Sequence, residues 1–126
     1  MGIFYNHMVV DEERIAETER TDLLFHALSD ATRRDIVRLV LHGEHSVSDL
    51  ARRYPMSFAA VQKHVAVLER ADLITKHPRG RERIVRGRID GVRDVNRLLD
   101  QLEAIWHDRM QQFGDVLADL DEGEQR

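Results

Sequence analysis

The sequence of 126 residues predicts a mainly helical α+β fold with one small β-hairpin. Three observations support it. Apolar residues recur at helical spacing along most of the chain. The period shortens to that of a strand only between Leu73 and Ile89. Glycine and proline are scarce, at seven and two residues. Hydrophobic residues at 42% and charged residues at 33% describe a globular chain rather than a disordered one, long enough for one domain with a modest core. No apolar run approaches the roughly 18 residues of a membrane span. The first ten residues have no basic flank before their weak apolar stretch, so they do not read as a signal peptide, and a cytoplasmic protein without a membrane partner is expected. With no cysteine there is no disulfide, no thiolate metal site and no cysteine nucleophile.

Residues 1–10 show no period and are expected to be an N-terminal arm. Asp11 to Leu28 reads as a helix whose apolar stripe is Ile15, Leu23, Leu24, Ala27 and Leu28. Ser29-Asp30 offers two N-cap residues before Ile36, Val37, Leu39, Val40 and Leu41, and this second helix stops at His42-Gly43, a glycine C-cap position. Ser46-Val-Ser-Asp49 starts a third helix as a capping-box variant, with Val47, Leu50 and Ala51 toward the core. That helix ends near Tyr54, because Pro55 disfavours helical geometry in the residue before it. Ser57 caps the fourth helix, in which Val61, Val65 and Leu68 point inward while Ala59, Gln62, Lys63 and Ala66 lie on other faces. Leu73–His77 and Glu82–Ile89 read as two strands joined by a Pro78–Arg81 turn.

Asp90 to about Leu120 is the last and longest element. Leu99, Leu102, Trp106, Met110, Phe113, Leu117 and Leu120 are spaced 3, 4, 4, 3, 4 and 3 residues apart, a coiled-coil-like seam widened by Leu98, Ile105 and Val116. A domain of this size does not need so much apolar helix to close its own core. A symmetric homodimer is therefore the economical use of Leu99, Leu102, Trp106, Met110, Phe113 and Leu117. The domain is expected to span 11–120, with 121–126 as an acidic tail.

The net charge of −4 hides a strong asymmetry. From Arg52 to Arg88 ten Lys/Arg stand against three acids, a net +7, whereas 1–28 carry −4 and 95–126 carry −5. A polyanion would be steered to the middle segment. Two short helices around a tight turn, followed by a basic hairpin, form the order of a winged helix-turn-helix, and double-stranded DNA is the expected partner. Small, polar and cationic side chains at the front of an exposed helix suit a major groove: alanine permits close approach, Gln62 can bond an adenine edge, and Lys63 can reach guanine or phosphate. Base discrimination is expected from Ser57, Ala59, Gln62 and Lys63, with His64 as a cap or DNA contact. Arg79, Arg81 and Arg83, with Arg52 and Arg53, are expected to supply phosphate or minor-groove affinity.

Three segments resemble the ArsR-type (arsenical-resistance repressor) family of bacterial winged-helix regulators. Ala27-Leu-Ser-Asp-Ala-Thr-Arg-Arg is similar to that family's Ala-Leu-(Ala/Ser)-Asp-Pro-Thr-Arg helix start, with Ala31 where proline is usual. Ser46-Val-Ser-Asp-Leu-Ala resembles its Cys-Val-x-Asp-Leu-Ala segment, and Ser57 to Ile74 its recognition helix and the turn beyond. The resemblance implies a homodimeric transcriptional repressor or autorepressor that sets Ser57 to His64 into successive major grooves of a pseudo-palindromic operator, flanked by its wings. Ser46 stands where thiolate sensors of the family carry cysteine, and Asp72 stands where glycine usually follows the recognition helix. Asp tolerates the left-handed angle better than most residues, so the fold should hold at a small cost in stability. Asp100-Gln-Leu102 interrupts the Asp-x-His start of the family's zinc pattern. Glu103 and His107, one helical turn apart, are then the remaining zinc candidates, and no metal or other cofactor is expected.

Two other readings accompany the regulator: a winged-helix protein-interaction module meeting an acidic partner, and a His/carboxylate zinc-responsive repressor. A small-molecule effector could bind between the final helices near Trp106, though the sequence names none. No Gly-rich phosphate loop, nucleophile triad or paired-carboxylate pocket argues for an enzyme.

Overall fold

The computed structural model describes residues 2–124, with side chains from 12 to 123. Of the expected arm, Met1 lies outside the described residues, and so do Gln125 and Arg126 of the expected tail. The elements are α1 (Gly2–Leu28), α2 (Ala31–His42), β1 (His45–Ser46), α3 (Val47–Arg52), α4 (Phe58–Arg70), β2 (Ile74–Arg79), β3 (Glu82–Gly87) and α5 (Ile89–Glu124). The chain divides into two compact units, Met1–Val95 and Asn96–Arg126.

In the first unit α2, α3 and α4 each start on a side-chain oxygen that satisfies an orphan backbone amide. Asp30 accepts from the Arg33 amide at 3.0 Å, Ser46 from Asp49 at 3.0 Å and Ser57 from Ala60 at 3.1 Å. The helices bury the residues their periodicity selects: Ile36, Val37 and Val40 from α2, Val47 and Leu50 from α3, and Val61, Val65 and Leu68 from α4. Of the stripe expected on α1, Leu24 and Ala27 are buried and Leu28 packs against the core, whereas Ile15 and Leu23 are exposed. Gly43 ends α2 with φ 176°, an extended angle open to any residue, so its role as a stop does not use glycine's conformational freedom.

The sheet is antiparallel in the order β1-β3-β2, one strand more than the sequence predicts. His45 and Ser46 pair with Val85 and Ile84, which places the start of α3 against the base of the hairpin. The hairpin itself is longer than its turn signal suggests. Pro78 pairs with Arg83 and Arg79 with Glu82, leaving only Gly80 and Arg81 as the turn. Proline is tolerated there because β2 is an edge strand. Gly80, at φ 63°, supplies the left-handed first position that a two-residue loop of the II′ kind requires. Asp72 also takes the left-handed angle, at φ 58°, as expected for the residue standing in glycine's place. After β3 the Arg88 amide bonds the Leu73 carbonyl at 2.9 Å, and an ion pair between Arg20 and Asp94 joins α1 to the early turns of α5.

In the second unit α5 continues as unbroken helix, and it runs through Asp121 to Glu124 of the expected tail. Every residue from Gln101 to Gly123 is exposed. Among the described residues no helix is long and apolar enough to cross a membrane.

Candidate nucleic-acid interface

The face of α4 turned away from the core carries Phe58, Ala59, Gln62, Lys63 and Ala66, all exposed. It is fixed from beneath by Val61, Val65 and Leu68, each no more than 1% exposed, so the helix is held by a rigid inner seam while its outer side chains stay free. Ser57 is exposed, and its Oγ accepts the Ala60 amide as the N-cap, which leaves the hydroxyl proton to donate outward.

His64 is half-buried at the edge of this face, its Nδ1 3.2 Å from Nη1 of Arg33. Guanidinium only donates, so Nδ1 accepts and the imidazole proton sits on Nε2. Arg33 is itself buried and pinned: Nε donates to the Ala27 carbonyl at 2.8 Å and Nη2 to the His26 carbonyl at 2.9 Å. Arg34 adds a bond to Leu28 O at 2.8 Å. Two arginines thus close the C-terminal end of α1, where cations complement the helix dipole, and one of them reaches on to α4.

Across from α4 stands the hairpin. Between them lies a cleft of about 540 Å³ lined by Ser48, Phe58, Gln62, Lys76, Arg81 and Arg83, together with Glu82 and the apolar Val47 and Val65. The arginines of the hairpin divide into two kinds. Arg79 lies 2.9 Å from Glu44, a carboxylate that also holds Arg86 at 3.3 Å, so it braces the wing against the loop before β1. Arg81 and Arg83 have no ion pair among the described residues and are exposed. Lys76 faces Glu69 at 3.6 Å. On α3, Arg52 pairs with Asp49 at 3.2 Å on the surface, while Arg53, the C-cap, is exposed and has no salt bridge among the described residues. Of the cations expected for DNA, Arg53, Lys63, Arg81 and Arg83 are thus left without an ion pair among the described residues.

Two residues that sequence reasoning passed over belong to this region. Phe58 opens α4 and remains 48% exposed, and its position one turn before Gln62 was the available signal. Arg33 carried no such signal, because its partners lie on α1 and α4, brought together only by the fold.

Glu103 and His107 meet at 3.2 Å on α5, both exposed, and among the described residues no group of three His, Cys, Asp or Glu gathers in metal-binding proximity. Ser46, at the position of the family's cysteine, is 3% exposed and occupied as the α3 cap. These donors do not fit a thiolate sensor.

A helix-turn-helix domain model matches residues 28–77. The HTH-type transcriptional regulator Rv2034 of Mycobacterium tuberculosis is 43% identical over 63 residues, 50% of this chain and 59% of that protein. The transcriptional repressor SdpR of Bacillus subtilis is 33% identical over 57 residues, 45% of this chain and 63% of that one. The matches span about three fifths of these relatives' length. Among solved structures, an ArsR-like transcriptional regulator from Rhodococcus sp. RHA1 superposes with a TM-score of 0.74 at 28% identity, over 83% of this chain and 96% of that one. These likenesses are to regulators, not enzymes, and they cover the capped helix pair, the recognition helix and the wing described above. A crystal structure of a possible transcriptional regulator for arsenical resistance is 31% identical over 68% of this chain and 94% of that one, with a TM-score of 0.58, and with it the chain belongs to the ArsR family of winged helix-turn-helix transcriptional regulators.

Proposed function

We propose that the protein is a homodimeric transcriptional repressor or autorepressor that binds a pseudo-palindromic operator and does so without a thiolate metal sensor. The observation that carries this reading is the outer face of α4. Ala59, Gln62 and Lys63 project from a helix seated on a fully buried seam, beside a wing whose Arg81 and Arg83 have no ion pair among the described residues. In this reading Gln62 bonds the N6/N7 edge of an adenine, Lys63 reaches guanine or phosphate, and Ser57 and His64 donate at the ends of the same stretch. Arg81 and Arg83 neutralise phosphates beside or across the minor groove, with Arg52, Arg53 and Arg79 adding weaker positive field. Repression is the direction carried by one of the relatives.

The dimer rests on α5. Leu99, Leu102, Trp106, Met110, Phe113 and Leu117 are between 40% and 60% exposed along one helix, a quantity of apolar surface that a monomer rarely leaves in water. A second copy of the same seam covers it by symmetry, and two-fold symmetry demands two half-sites about one helical turn apart.

Selection of bound sites from random duplex, with and without zinc and other divalent metals, tests the whole reading. A palindromic motif unaffected by metal is expected; no enrichment overturns it. Gln62→Ala should then lose about 1–3 kcal/mol of discrimination at one base pair. Trp106→Glu should sediment as a monomer and protect no operator, and a dimer that survives this change would displace the seam from α5.

A further inference from the structure

Phe58 has no structural explanation in the fold, and it stands where the DNA reading needs apolar surface. It occupies the first position of α4, directly after the Ser57 cap. The packing task at this end of the helix belongs to other residues: Met56, before the cap, is half-buried against the core and Val61, the fourth helical residue, is fully buried, which are the two positions of a hydrophobic staple. Phe58 is instead 48% exposed, its ring at the wall of the cleft that Gln62, Arg81 and Arg83 also line. Among the described residues Glu82 is the single acidic side chain lining it.

A large aromatic side chain on the solvent face of a cationic site calls for a ligand that is polyanionic overall and locally apolar. The major groove of duplex DNA meets both conditions, since the thymine 5-methyl group is the one apolar group displayed there. The spacing specifies more. Phe58 and Gln62 are four residues apart on one helix face, which separates them by about 6 Å along the axis, close to two base-pair rises of about 3.4 Å.

We propose that Phe58 is a specificity-determining residue that covers the 5-methyl group of a thymine lying within two base pairs of the adenine read by Gln62. The proposal rests on the operator-binding reading and adds to it a defined base contact that carries no hydrogen bond.

The test uses the full-length protein and the duplex recovered by selection with it, resynthesised with deoxyuridine in place of each thymine in turn, a change that removes one methyl group and no hydrogen-bonding atom. In fluorescence anisotropy, one uracil position per half-site should weaken the wild-type protein about fourfold, the ratio that corresponds to one buried methyl. Phe58→Ala should bind the thymine duplex more weakly by a similar factor and respond to no uracil position. Phe58→Leu, which keeps apolar surface and helix propensity, should restore part of the discrimination, and it also carries the comparison should the alanine variant melt early in circular dichroism. A wild-type protein that prefers the selected duplex over random DNA yet is indifferent to uracil at every thymine overturns the proposal while leaving operator binding intact, as does a Phe58→Ala protein that keeps the full uracil penalty. A wild-type protein with no preference for the selected duplex overturns the operator reading itself.

Discussion

Replacing Arg33 with methionine separates the charge of this side chain from its bulk, because methionine keeps an apolar stem of similar reach. The guanidinium makes three side-chain contacts, to the carbonyls of Ala27 and His26 and to Nδ1 of His64. They are not equivalent. The His26 carbonyl also receives the Ser29 amide at 3.1 Å and the Ser29 hydroxyl at 2.6 Å, so it stays satisfied in the variant. The Ala27 carbonyl, on a residue that is 0% exposed, has only Arg33 beyond its own helix among the described residues. Stranding that acceptor costs about 1–3 kcal/mol, and loss of the His64 bond adds about 1 kcal/mol. The N-cap of α2 is untouched, because Asp30 accepts from the Arg33 backbone. Arg33→Met should therefore lose about 2–4 kcal/mol in urea unfolding, measured at one fixed protein concentration because the proposed dimer would add to apparent stability. Arg33→Lys should fall between the two, a single ammonium being unable to serve acceptors on α1 and α4 together. A loss below about 1 kcal/mol for Arg33→Met would refute the view that this residue joins the end of α1 to the recognition helix.

Three further outcomes follow from the geometry. Arg81→Ala and Arg83→Ala should each flatten the slope of log K against log salt by about one phosphate's worth, near 0.9, while Arg79→Ala should flatten it less because Glu44 already claims that side chain; equal effects in an anisotropy titration would contradict the division. Asp35 is held below its ordinary carboxylate value first by the Tyr54 hydroxyl, which donates to it at 2.6 Å, and then by Arg38. Its stabilisation is present above the unfolded pKa near 4 and is lost as pH falls through the lower folded value, so thermal melts of Asp35→Asn from pH 7 to pH 2 should show a shallower acid decline than wild type. At the left-handed Asp72, valine should melt below glycine by the equivalent of about 1–2 kcal/mol; matching melting temperatures would show that the angle is not constrained.

What the sequence revealed and what it hid divide by the range of the interactions involved. Caps are local: Asp30, Ser46 and Ser57 bond amides three residues on, and each helix begins where its cap predicts. The left-handed turn at Asp72 was equally local, lying one step past the end of a periodic helix. β1 was not, because two residues carry no period and become a strand only by meeting β3, some forty positions away. Pro78 misled for a related reason. As a turn residue it is persuasive, but an edge strand accepts it, and which strand is the edge is decided by the sheet order. Among the site residues the solvent face of α4 was legible as the complement of Val61, Val65 and Leu68. That Arg79 answers to Glu44 while Arg81 and Arg83 answer to nothing within the described residues was not, since arginines two apart in a hairpin read alike.

Ser46 shows how one position can change its task without changing the fold around it. It ends β1, pairing with Ile84 of the hairpin, and it caps α3 with a buried hydroxyl. A hydroxyl is a good acceptor for a helix amide, and an N-cap of this kind contributes about 0.5–2 kcal/mol, whereas a thiol is a weak acceptor and ranks well below serine in that role. The residue therefore fixes the start of the helix-turn-helix against the base of the wing, the two parts that the proposed reading requires to keep register so that α4 and Arg81 meet one duplex together. A thiolate at the same place would be available to a metal ion but would surrender the cap. Serine resolves that competition in favour of the cap, and Ser46→Cys should lose about 0.5–2 kcal/mol in urea unfolding with no gain in stability on adding zinc; a variant as stable as wild type would show that the cap contributes little.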